Sequence, residues 1–243
     1  MPIVNIQSKQ SIFFGVHFLL VGEWGTDSKR LLDFQKALLD EGLEFSETGT
    51  GPRSFVLTRK ESSAFQVKIG SVGPQVSEIK IVTPERPSHV LDPFCKEAEA
   101  VCRAYIKVWA GMPCQVLRCD ATIRHLYSCN CHAFKHLWED RLGQQEDDLK
   151  YLGGRPVLGG GLRLVLPRVN QWKDHVEVKI ESFLGDPEKI FIETMFLWPD
   201  PFIVNTADGF NSTGRLKELE KYATHEVCDF LLKDKTEDNN GNN

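Results

Sequence analysis

Gln115-Val-Leu-Arg-Cys-Asp-Ala-Thr-Ile-Arg-His-Leu-Tyr127 alternates in polarity along most of its length. Leu117, Cys119, Ala121 and Ile123 fall on one side of an extended chain, and Arg118, Asp120, Thr122 and Arg124 on the other. A period of two marks a β-strand with one face on a core and one toward water, which is the habit of antiparallel sheets. Immediately upstream, Asp92 is an N-cap and Pro93 falls at the first helical position, where its missing N–H costs nothing. Phe94, Cys95, Ala98, Val101, Cys102, Tyr105, Val108 and Trp109 then form one helical stripe, which Gly111 and Pro113 end.

Further upstream, Ser54 to Arg59 is strand-like, Phe65, Val67 and Ile69 alternate with Gln66 and Lys68, and Ile79 and Ile81 alternate with Glu78 and Lys80. The apolar run Ser11 to Gly22 reads as a buried strand. Between them, Thr26 or Asp27 caps a helix carrying Leu31, Leu32, Phe34, Leu38 and Leu39, stopped by Gly42. Downstream of Tyr127 the same series returns. Phe134, Leu137, Trp138 and Leu142 share a helical stripe, which Asp147 to Leu152 continues. Leu162 to Leu166, Val176 to Ile180 and Ile190 to Leu197 are strands. A last helix, capped near Asn211 or Ser212, carries Leu216, Leu219, Ala223, Val227, Phe230 and Leu231.

The expected fold is therefore α+β: a mostly antiparallel sheet with helices packed on one face, in a pseudo-duplicated β-α-β-β-β-α plan. Phe65-Gln-Val-Lys-Ile69 aligns with Val176-Glu-Val-Lys-Ile180, and Glu78-Ile-Lys-Ile81 with Lys189-Ile-Phe-Ile192, both at a shift of 111 residues. Residues 1–233 are expected to form a single domain of two similar halves, about 11–111 and 114–233. The junction from Gly111 to Pro113 is too short for a flexible linker. The polar tail 234–243 is expected to be disordered.

A 41% hydrophobic and 26% charged composition is that of a chain able to bury a core. The net charge of -5, with Lys and Arg interspersed among Asp and Glu, argues against nucleic acid as the main partner. No run approaches the ~20 apolar residues that cross a bilayer. The longest, Ile12 to Val21, contains His17 and lacks the flanks of a signal peptide. Seven cysteines without framework spacing read as free thiols in a reducing compartment, so the expected location is cytoplasmic, with no membrane partner.

Cys129-Asn-Cys131-His132-Ala-Phe-Lys-His136 is the candidate metal cluster. Thiolate and imidazole suit zinc, and His132 and His136 at i, i+4 share a helix face. The single residue between the cysteines and the lack of a second pair depart from common zinc sites; the competing reading is a strand running into a helix, with the thiols as packing. Zinc is the one cofactor the sequence suggests. For nucleophilic catalysis, His225 and Cys228 are i, i+3, but Cys228 lies in an apolar stripe and no G-x-S-x-G is present. The glycine-rich stretch Leu152 to Gly161 has no Gly-Lys-Ser/Thr and precedes a strand, so it reads as a connection, as does Gly49-Thr-Gly51. Trp198 and Phe202, in a Pro-braced segment, and Phe210 beyond it are candidate partner-binding aromatics, with core packing as the alternative. Arg118, Arg124 and His125 are candidate ligand-binding residues in a cleft between sheet and helices.

Three segments carry a family resemblance: the helix end Tyr105-Ile-Lys-Val-Trp109, the strand Val116 to Leu126, and the closing helix with Leu216, Leu219, His225 and Phe230. Over roughly residues 100 to 232 the chain resembles a sporadically distributed family of uncharacterised bacterial proteins of about this length. It departs from that pattern at Ala121 and Ile123, where the family has glycine and an Arg-Tyr pair, and His225 sits lower in its helix. The resemblance implies no catalytic residues and an accessory role, defence systems included. The expected function is a non-catalytic interaction or regulatory protein, an accessory subunit binding another protein through a sheet edge or the aromatic segment near Trp198. The second reading is a small-molecule or nucleotide-binding protein, with catalysis left open, using the cleft at Arg118, Arg124 and His125.

Overall fold

Two 16-residue strands, β1 (Ile6–Val21) and β6 (Cys114–Cys129), run antiparallel at the heart of a sheet with ten strands among the described residues. The computed structural model describes residues 6–22, 28–51, 53–59, 65–85, 88–109, 114–145, 147–149, 153–169 and 174–232. After β1 come α1 (Ser28–Asp40), β2 (Glu47–Gly51), β3 (Ser54–Arg59), β4 (Phe65–Gly73), β5 (Val76–Val82) and α2 (Leu91–Trp109). After β6 come α3 (Ala133–Lys135), a π-helical turn (His136–Arg141), β7 (Gly161–Leu166), β8 (His175–Ser182), β9 (Lys189–Trp198) and β10 (Phe202–Val204). A 3-10 turn (Ala207–Phe210), α4 (Ser212–Thr224) and α5 (Glu226–Leu232) complete the described chain. The strand order is β2-β3-β4-β5-β1-β6-β9-β8-β7, with β10 pairing the start of β6, and every pair is antiparallel.

Alternation assigns the two faces. Phe14, Val16, Phe18 and Leu20 of β1 and Cys119, Ala121 and Ile123 of β6 are buried. The apolar stripe of α2, with Phe94, Ala98, Val101 and Tyr105, joins them in one core. Phe14 stacks on Phe94 at 5.7 Å, and Phe18 and Tyr105 meet Phe210 edge-on at 4.9 and 5.9 Å. Aromatic pairs of this geometry add about 0.5–1.5 kcal/mol beyond area burial. The other face is a ladder of opposite charges across neighbouring strands. Glu78 takes Lys68 at 2.7 Å and His17 Nε2 at 3.1 Å, and Asp120 takes His17 Nδ1 at 3.1 Å. Glu193 joins Arg124 to Lys179, and Glu177 holds Arg163 through two bonds of 2.7 and 2.8 Å. Cross-strand pairs of this kind contribute about 0.2–1 kcal/mol each.

Several boundaries differ from the sequence reading. Gly49-Thr-Gly51 is not a loose connection but part of edge strand β2. Leu117 does not take the core side: a register shift between Leu19/Arg118 and Leu20/Val116 puts Val116 there, fully buried. Such a bulge exchanges the side chains that face inward. In α1 the buried residues are Phe34, Ala37 and Leu38, while Leu32 and Leu39 are exposed. The last helix is two, broken at His225. The caps proposed at Thr26 and Asp27, the junction 111–113, part of 147–152 and the tail 234–243 lie outside the described residues. Among the described residues, no helix is long and apolar enough to cross a membrane, and all seven cysteines are free thiols.

Two carboxylates tie the sheet to its surroundings and give it an acid-sensitive component. Burial alone would raise Glu193, but Lys179 and Arg124 outweigh it and hold the carboxyl below its usual range. Glu220 on α4 is half-buried, and burial would raise it too, yet His125 and Lys9 lower it. A carboxylate depressed in the fold contributes stability that is present above its unfolded pKa, about 4.3, and is lost as pH falls through the folded value. Denaturant unfolding followed from neutral pH downward is expected to lose stability below about pH 4.3. The Glu193→Gln, Glu220→Gln double variant is expected to be less stable at neutral pH and flatter through the acid range; an unchanged slope would refute this origin.

Candidate interaction site

Among the described residues β7 is the last strand on this side of the sheet, and its core face is still apolar. The register Leu162↔Ile180, Leu164↔Val178 and Leu166↔Val176 places three leucines on the helix side. In the middle of the sheet that side is sealed, but here Leu164 is 37% and Leu166 40% exposed, and Val165, opposite Glu177 on the other face, and Val169, beyond the strand, are exposed as well. Between this strand and α4–α5 runs a groove of about 610 Å³, walled by Val165, Leu166, Val176 and Phe196 on one side and Tyr222 on the other. Phe196 and Tyr222 meet edge-to-face at 5.2 Å. The strand can lie this close to β8 because its first residue has no side chain: a Cβ on Gly161 would be 2.0 Å from the Ile180 carbonyl oxygen. Pro167 follows the strand and cannot donate to a further ladder bond.

An edge strand presents a row of backbone N–H and C=O groups to whatever lies beside it. The opposite edge, β2, does so with Glu-Thr-Gly-Thr-Gly, exposed throughout and without an apolar side chain. β7 does so with Leu-Arg-Leu-Val-Leu above an apolar groove. The groove's polar rim is acidic, with Asp174, Glu218 and Glu226 against Lys221. Partial burial raises the Glu218 carboxyl, Asp174 pushes it the same way, and Arg215 opposes both. Burial, then Glu226 and Asp174, raise the Tyr222 hydroxyl.

The residues singled out in the sequence are distributed as follows. Cys129 donates its thiol toward the Cys131 and Glu188 carbonyls, at 3.1 and 3.2 Å. Burial, then Cys129, pushes the Cys131 thiol up to about 12. His132 is exposed at the head of α3, and buried His136 sets Nδ1 3.1 Å from Asp140. Among the described residues, no group of three or more His, Cys, Asp or Glu side chains is placed to hold a metal ion.

Phe210 is not a docking aromatic. It is fully buried, because the 3-10 turn tucks it beneath β1 and α2 before Asn211 turns the chain with φ 49°. Trp198 and Phe202 hold the Arg215 guanidinium, 4.8 and 4.9 Å from their ring centres. Cation–π contacts of this kind contribute about 0.5–1 kcal/mol at exposed sites and more when desolvated.

Arg118, Arg124 and His125 do not share a cleft, because the pleat sends them to opposite faces. Arg124 lies on the charged face, paired with Glu85 and Glu193 and 4.6 Å over the Phe13 ring. Arg118 is on that face too, 3.8 Å from Asp120. His125 is fully buried on the helix side, its Nε2 2.8 Å from Glu220.

Sequence reasoning passed over Val165, Val169, Phe196 and Tyr222. The one local signal was the apolar run Leu162 to Leu166 with a single charge, which reads equally as an inner strand. Comparison with protein-family models, with curated proteins and with solved structures finds no match to this chain.

Proposed function

We propose that this chain is a non-catalytic interaction protein that captures an extended segment of another protein along β7. The single observation behind the reading is a sheet edge on which Leu164 and Leu166 are exposed and whose end, at Val165 and Leu166, walls an apolar groove. Strand addition to such an edge draws affinity from main-chain hydrogen bonds and selectivity from pockets for alternate side chains. The sheet order supports it. From β1 outward lie β5, β4 and β3, and from β6 outward β9, β8 and β7, which we read as a duplicated β-α-β-β-β-α plan. In that reading the 13-residue α1 of the first half has as its counterpart only α3 and the π-helical turn, so β7 keeps part of its apolar face open while β8 is covered. An accessory role in a bacterial system, defence included, is what the family resemblance implies, and the cysteine usage fits a cytoplasmic setting.

The test is affinity capture from the native host with the wild-type chain and with a Leu164→Asp, Leu166→Asp variant, followed by hydrogen exchange on the recovered complex. The expected result is a partner retained by the wild type, at least about tenfold less of it on the variant, and slowed exchange at residues 161–166. A partner that binds both chains equally, or protects a different strand, would refute this edge. A small ligand retained with no protein would put the small-molecule reading in its place.

A further inference from the structure

On the strength of that reading, we propose that the segment captured by β7 is basic: an extended stretch of alternating apolar residues carrying a lysine or arginine that sits among Asp174, Glu218 and Glu226. The argument is one of charge matching. On the open face four carboxylates are already partnered, Glu78 by Lys68 and His17, Asp120 by His17 and Arg118, Glu193 by Arg124 and Lys179, and Glu177 by Arg163, while Glu181, far from the groove at the other end of β8, stands in solvent. The three carboxylates at the groove have no ion pair among the described residues, although Lys221 lines the same groove. They stand beside the apolar wall of Val176, Phe196 and Tyr222, and Glu218 and Glu226 are exposed there, open to an incoming cation. A lysine or arginine side chain fits both parts, since its methylene stem lies along apolar and aromatic surface while its head meets carboxylate. An acidic segment would add like charge to the rim, which disfavours it as partner. A second copy of this chain brings no complement, because the edge strand it would add has one cation, Arg163, already held by Glu177.

The test is selection of an unbiased displayed peptide library on the full chain, then fluorescence anisotropy of the enriched peptides against three proteins. These are the wild type, the Asp174→Asn, Glu218→Gln, Glu226→Gln variant, and the Leu164→Asp, Leu166→Asp variant. The expected outcome is enrichment of sequences alternating apolar residues with at least one lysine or arginine. Their affinity should fall about tenfold on the neutralised rim, weaken at raised salt, and vanish on the leucine variant. The neutralised rim removes only like charges and is expected to fold as the wild type, which thermal unfolding checks. Peptides that need the leucines but carry no cation, or bind the neutralised rim equally well, would overturn the basic character and leave the edge reading standing. Recovery of no peptide that depends on the leucines would overturn both.

Discussion

Phe210→Ala is expected to cost about 3–5 kcal/mol of folding stability, measured as a shift in the urea midpoint at unchanged slope. The ring is fully buried and wedged between Phe18 and Tyr105, so it joins the central strand β1 to α2. Truncation removes the transfer free energy of the ring and leaves a cavity that β1 cannot relax to fill, since its neighbours there are paired on both sides by β5 and β6. The expected functional effect is nil while the variant remains folded, because Phe210 does not line the groove at β7. Loss of partner capture without loss of stability would show the aromatic to be a contact residue after all. A fully packed phenylalanine cannot produce that combination.

Gly161→Ala is expected to have the next largest effect, and to act on stability and binding together. The new methyl would lie 2.0 Å from the Ile180 carbonyl oxygen and 2.6 Å from the Glu181 Cα. Both are backbone atoms of β8, which β9 holds from the other side. They cannot move aside as a flexible side chain does, so the start of β7 has to lift from the sheet. Overpacking of this sort costs about 1–3 kcal/mol. The measurement is native-state hydrogen exchange, with protection expected to fall at residues 161–166 more than in β1 and β6. Partner capture should fall with it, because the captured strand needs β7 in register. Gly73→Ala is the control, since nothing lies within 4 Å of a Cβ there. Equal behaviour of the two variants would exclude the close β7–β8 approach as the cause.

The two outcomes depend on features of unequal visibility in the sequence. Alternation along Arg118 to Arg124 correctly separated a charged face from a buried one, and the stripe from Phe94 to Trp109 found α2, although the helix begins at Leu91, two residues before Pro93, so Asp92 lies in its first turn and not at its cap. The same alternation, carried one residue further, sends His125 away from the two arginines, so the cleft proposed for them was already at odds with the pleat. Leu117 was unreadable in a different way. The bulge that trades it for Val116 arises from pairing with β1, a strand about a hundred residues away in the chain.

By itself, then, the sequence determined an α+β chain, most of the residues that share a strand face, and the helices α2 and α4, the latter without its break at His225. These are local properties, set by side-chain periods of 2 and 3.6 and by capping residues. Only the tertiary structure decided that β1 pairs β6, that Phe210 is core, that Arg215 lies between Trp198 and Phe202, and that β7 is, among the described residues, the last strand on its side of the sheet. A run such as Leu162 to Leu166 carries the same pattern whether a strand lies on both its sides or on one. Its exposure depends on which partners arrive from elsewhere in the chain, because backbone hydrogen bonding between strands carries no side-chain signature of its own.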